Sequence, residues 1–217
     1  MPASSSHKSY SLALRLWHWG NAAVISGLLT TILFLFVIIK TKEVGPIFQE
    51  MLAKDGLEVT QQQARALRKV VSSRIWDWHI TLGLILTGLL VFRVALEWLQ
   101  PAGQRFATRL RSARAHFRRQ GPDVRDTRHS LLVKWSYLVF YVLLGVMVGT
   151  GLVLVYADDV AFLHSIEHTC KEIHEVTMYL VIAFVVAHVV GVVWAEVTRN
   201  RGIVSDMING GNQVEEV

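Results

Sequence analysis

The stretch Ile173–Val197, IHEVTMYLVIAFVVAHVVGVVWAEV, decides the fold. Between Glu175 and Glu196 it carries no Asp, Glu, Lys or Arg. It exceeds the roughly 20 residues needed to cross a hydrocarbon core of about 30 Å. Yet it holds two histidines, His174 and His188. A titratable side chain costs free energy in hydrocarbon, so an intramembrane histidine is a functional candidate by default. Fourteen residues separate the two, about 21 Å along a helix axis. Fourteen steps of about 100° return to within about 40° of the starting direction. Both rings therefore leave one helix face, one near each membrane surface.

Three further apolar segments, Leu14–Ile39, Ile75–Leu99 and Leu131–Tyr156, are also long enough to span, and none shows the alternation of a membrane strand. The expected architecture is an all-α membrane protein, a four-transmembrane-helix bundle forming a single membrane domain over residues 1–217. Its outer loop covers residues 40–74 and a cytoplasmic basic loop covers 100–130. The first segment is read as a retained span, because Lys40-Thr41-Lys42 follows it rather than a small-x-small cleavage site. Cys170 is the only cysteine, which excludes an internal disulfide and an iron–sulfur cluster held by this chain alone. The net charge of +5 comes from basic residues crowded beside the spans, which fits topology and anionic lipid rather than nucleic acid.

Four spans put both termini on one side. That side carries twelve basic residues, eight of them between Arg105 and Arg128, against eight on the other. The positive-inside rule therefore places both termini in the cytoplasm of a multi-pass protein. In the outer loop, Phe48, Met51, Leu52, Leu57 and Val59, then Ala64, Leu67, Val70 and Val71, predict two short amphipathic helices. They form an interfacial cap or a docking surface. The loop before the last span is acidic, with Asp158, Asp159, Glu167 and Glu172, and the tail from Gly210 to Val217 is expected to fray.

This orientation sorts the histidines by depth. His18, opening the first span, lies at the cytoplasmic depth of His188. His79, opening the second, lies at the outer depth of His174. Two matched pairs suggest the axial ligands of two hemes stacked across the membrane, with hydrogen bonding between helices as the alternative role. Two imidazoles on one iron leave no open position, so such a heme passes electrons. Arg93, fourteen residues after His79, suits a propionate of the inner heme, or else snorkels or bridges to Glu97; Arg15 is similarly placed. Gly83 and Gly191 offer a macrocycle close approach or serve helix packing. Trp17, Trp19, Trp76 and Trp78 are expected as interface anchors, and Gly145 and Gly149 as a packing wall. His129 and Lys134 either line a quinone pocket or snorkel. His168 rivals His174 as outer ligand, and His164, His168 and Cys170 give only weak grounds for a loop metal. His7 and His116 read as surface residues.

The sequence Arg15-Leu16-Trp17-His18-Trp19, His79 with Arg93, and His174 with His188 followed by Gly202-Ile203-Val204-Ser205-Asp206-Met207-Ile208-Asn209-Gly210 together resemble the bacterial diheme b-type cytochromes. That group includes the cytochrome b subunits of NiFe hydrogenases, the gamma subunits of formate dehydrogenases, and superoxide oxidase. The resemblance covers Leu14 to Gly210. It implies two heme b groups with the His18/His188 and His79/His174 pairing. It also implies residence in the bacterial inner membrane and electron transfer between an extracytoplasmic redox partner (a dehydrogenase, hydrogenase or cytochrome c) and quinone. The long outer loop departs from the group, as does Arg128-His129-Ser130 where hydrogenase-type members often carry Gly-His-Asn-Pro. A stand-alone superoxide:quinone oxidoreductase is the second reading; it asks for a basic outer funnel, which the acidic loop opposes. A heme-free scaffold or ion-handling bundle is the third.

Overall fold

The computed structural model describes residues 11–39, 44–99, 125–198 and 202–210. Helix α1 (Leu12–Leu33) continues into a π-helical turn, Phe34–Ile39; α2 is Val44–Lys54, α3 Gln61–Leu99, α4 Arg125–Tyr156, α5 Ala161–Thr198 and α6 Ile203–Asn209. No strand occurs among the described residues, so the protein is all-α as expected. Four segments are long and apolar enough to cross a membrane: Leu12–Ile39, Gln61–Leu99, Trp135–Tyr156 and Ala161–Thr198. Most of their apolar side chains face outward, as lipid-facing surfaces do. The basic stretch 100–124 lies outside the described residues, as do His7 and His116.

The chain divides into two compact units, Met1–Trp19 with Leu89–Val217, and Gly20–Gly88. In the first, α4 and α5 pack on each other across a short connection, with Phe140 and Phe184 stacked at 5.2 Å. Helix α5 is 38 residues long, about 57 Å, far more than the hydrocarbon requires. The acidic segment expected as a loop is largely its first turns. No Gly or Pro interrupts the sequence from Ala161 to Val190, so nothing local stops the helix there.

The C-terminal motif of this unit is delimited by its two glycines. Gly202 (φ 101°) and Gly210 (φ 92°) hold left-handed conformations at either end of α6. The Glu196 carboxylate accepts from the Gly202 and Val204 amides at 2.8 and 3.1 Å, satisfying donors at the helix start. At the other end the Ile208 and Met207 carbonyls accept from Arg15 Nη1 (2.5 Å) and Trp19 Nε1 (3.2 Å). Gly210, expected to begin a frayed tail, is instead buried beneath Arg15: a Cβ there would sit 3.2 Å from Arg15 Cζ.

In the second unit, α2 ends at Gly56 (φ 77°) in a Schellman motif, Leu57 N–H to Leu52 O at 3.0 Å and Gly56 N–H to Ala53 O at 3.1 Å. Gln49 Nε2 donates to Val59 O at 2.9 Å and holds the following segment back on the helix. Helix α3 then opens with a capping box: Thr60 N–H donates to Gln63 Oε1 at 2.9 Å, and Gln63 N–H to Thr60 Oγ1 at 3.3 Å. The second short amphipathic helix is thus present but not separate. It forms the first turns of α3, because no Gly or Pro occurs between Gln61 and Leu82. The side chain of Leu82 on α3 reaches Gly27 on α1, where a Cβ would stand 3.1 Å from Leu82 Cδ1.

Two packing expectations need correction. A Cβ at Gly145 or Gly149 would meet no heavy atom within 4 Å among the described residues, so these glycines mark no tight helix crossing. Trp17 is a core residue rather than an interface anchor, for the reasons given below.

Gly202→Ala is expected to destabilise the detergent-solubilised protein by about 1–2 kcal/mol, because a Cβ is strained in the left-handed region. Gly88→Ala, in the interior of α3 with no heavy atom within 4 Å of its Cβ position, is expected to be neutral or to stabilise by up to about 1 kcal/mol. Unfolding curves of the two variants check this.

Candidate functional site

His18, half-buried on α1, and His188 on α5 belong to the same unit and face each other, ring centroids 6.3 Å apart with planes at 59°. His188 is stacked on Phe184 one turn earlier (6.1 Å, 4°), and Phe184 on Phe140, so a row of aromatic rings sets its direction. Trp19 meets His18 edge-on at 5.2 Å. His18 Nδ1 is buried with no hydrogen-bond partner among the described residues.

Trp17, 7% exposed, donates from Nε1 to Leu89 O at 2.9 Å and lies 5.8 Å from Tyr141. Arg93 sits over both rings at 5.7 and 5.9 Å; its Nε donates to Tyr141 Oη at 2.9 Å and its Nη1 lies 3.5 Å from Glu97. The i,i+4 bridge weighed for Arg93 is therefore formed, and Tyr141 is a partner that the sequence did not announce. Arg15, one turn before His18, gives Nη1 to Ile208, while its buried Nε has no partner among the described residues.

His174, half-buried on α5 in the same unit, has Nδ1 2.9 Å from Thr150 Oγ1. Gly151 lies alongside, where a Cβ would stand 3.4 Å from His174 Cε1. His168 differs: it is 87% exposed and 3.7 Å from Glu172, while His164 is 3.3 Å from Glu167. No group of three or more His, Cys, Asp or Glu able to hold a metal ion occurs among the described residues, Cys170 included. His79 belongs to the other unit. There its Nδ1 lies 2.8 Å from Thr31 Oγ1, and Trp76 meets its ring edge-on at 5.5 Å. The side chains of His129 and Lys134 lie outside the described residues.

These features fit heme. Two imidazoles on one iron, each bond about 2 Å and each nitrogen about 1.1 Å from its ring centre, stand about 6 Å apart. His18 and His188 are separated by that distance. The buried Arg15 Nε needs an acceptor, which a propionate provides.

The residues thus define an all-α protein with four candidate membrane spans, in which His18 and His188 are spaced as two imidazoles on one iron would be. The family described as prokaryotic cytochrome b561 matches residues 9–210, and the chain belongs to it. It is a membrane b-type cytochrome that carries heme b and transfers electrons. No curated protein and no solved structure matches the chain.

Sequence reasoning missed Thr31 and Thr150. Their signal was a hydroxyl in otherwise apolar spans, which alone cannot be told from ordinary back-bonding to the helix. It also missed Glu196 as the clamp of α6.

Trp17→Phe is expected to cost about 1 kcal/mol through the lost bond to Leu89, and Trp17→Ala about 3–5 kcal/mol through the cavity. Unfolding of the purified protein reads both; equal losses would mean that the hydrogen bond carries all of the effect.

Proposed function

We propose that this chain is a diheme cytochrome b that moves electrons across the membrane between an extracytoplasmic redox protein and the quinone pool, as the membrane subunit of a respiratory complex. The observation that carries the reading is the facing of His18 and His188 at 6.3 Å. His18 and His188 hold the cytoplasmic-side heme. His79 and His174 hold the outer one, a pairing that rests on their matched sequence depth in the second and fourth spans.

Bound heme supplies one-electron chemistry at its iron. The chain's own residues do the rest. Two histidines would hold each iron, and with both imidazoles bound, oxygen and other small ligands would be kept off the metal. Arg15 and Arg93 offer guanidinium groups to the inner propionates, and the stacked Phe184 and Phe140 fix the ring of His188. The His174 assignment is supported over His168 by its contact with Thr150 Oγ1, which orients the ring, whereas His168 lies beside Glu172 at 87% exposure.

With both termini cytoplasmic, the N-terminal turns of α3 and α5 project outward. They bear Arg65, Arg68, Lys69 and Arg74 on α3, and Glu167 and Glu172 on α5. They supply the surface for the partner, a dehydrogenase, hydrogenase or cytochrome c.

The test is heme counting in single variants of the purified chain. His18→Ala and His188→Ala are each expected to lower heme content by half and to remove the same b-type component; His79→Ala and His174→Ala remove the other. Loss of different components within a pair contradicts the pairing. A chain that purifies alone and consumes superoxide contradicts the subunit reading.

A further inference from the structure

Six threonines of the described helices bend their hydroxyls back to a carbonyl three or four residues earlier: Thr30, Thr31, Thr81, Thr87, Thr150 and Thr198. That habit is common where water is scarce. Thr31 and Thr150 differ from the other four in two respects. They are buried, at 6% and 9% exposure, and each also touches the Nδ1 of a proposed outer-heme ligand.

A hydroxyl has one hydrogen. Thr31 Oγ1 lies 2.7 Å from the Leu28 carbonyl, and Thr150 Oγ1 lies 2.7 Å from the Val146 carbonyl. A carbonyl only accepts, so the hydroxyl hydrogen goes there in both cases. Each oxygen is left to face its imidazole with lone pairs alone. The contacts at 2.8 and 2.9 Å are hydrogen bonds only if Nδ1–H of His79 and of His174 donates into them. The proton is therefore on Nδ1 in both rings, and the lone pair is on Nε2. Two threonines on different helices make the same arrangement, in different units of the chain.

We infer that Thr31 and Thr150 are positioning residues for the outer heme: each fixes its histidine in the Nε2-ligating tautomer and orients the ring. An acceptor on Nδ1–H also makes an imidazole more electron-rich, which favours ferric over ferrous iron and lowers the potential of that heme. His18 shows the contrast, since its buried Nδ1 has no partner among the described residues. The two proposed outer ligands thus have hydroxyl partners that His18 lacks among the described residues. The inference rests on the diheme reading and adds to it what separates one heme from the other.

The experiment is an optical redox titration of the purified full chain, with electron paramagnetic resonance of the oxidised hemes, for Thr31→Val, Thr150→Val and the matching Ser variants. Valine keeps the shape and removes the acceptor; serine keeps the acceptor. Each Val variant is expected to move the midpoint of the same heme upward and to change its resonance, leaving the other heme as in the parent. Each Ser variant is expected to titrate as the parent does. Loss of that heme in a Val variant, with retention in the Ser variant, supports the same role at the loading step.

Unmoved midpoints and resonances in both Val variants would overturn the inference. So would shifts in different hemes, or equal loss of heme from Val and Ser variants. A parent chain with no b-type spectrum would instead overturn the heme reading, so the two failures are told apart.

Discussion

The structure depends on one constraint: an imidazole held in hydrocarbon is costly unless at least one of its nitrogens is engaged by a protein group or a metal. His79 and His174 each direct one nitrogen to a threonine hydroxyl, at 2.8 and 2.9 Å. His18 and His188 face each other at the separation that a shared iron imposes. The surrounding features follow from keeping these rings in place. Aromatic stacking aligns His188, Gly151 leaves room beside His174, and Trp17 pins the helix of His18 to the Leu89 carbonyl.

Charge is handled in the same way. Arg93 lies within a span but reaches Tyr141 and Glu97 and lies over two aromatic faces, so its guanidinium is never presented bare to lipid. Arg15 and Trp19 close the end of the C-terminal helix, and Glu196 closes its beginning. The start of the first span and the Gly202–Gly210 motif are thereby joined within one unit, next to His18. This gives a physical role to the glycine-bounded motif from Gly202 to Gly210, which the sequence alone offered only as a resemblance.

The number and place of the spans were legible because the signal is long and redundant: twenty uncharged residues between Glu175 and Glu196 admit few readings. Helix ends were less legible. The sequence between Thr60 and Ile75 reads as a short amphipathic helix of its own; its start is set by a capping box, and its continuity with the following span depends on the absence of Gly and Pro. The four histidines were legible as candidates because each is an expensive residue for its surroundings. Their threonine partners were not, since a threonine in a membrane helix is cheap and common until a neighbouring helix brings a ring to it. Trp17 misled for a related reason: a tryptophan at a span end reads as an anchor, and only the fold shows its N–H turned inward.

The central claim is that this one chain binds two hemes, each between two histidines. The most direct measurement is the ratio of extractable heme b to polypeptide in the purified full-length protein, set beside its reduced-minus-oxidised spectrum. The account predicts two hemes per chain and a b-type spectrum with two components. One heme per chain, or none, would contradict it.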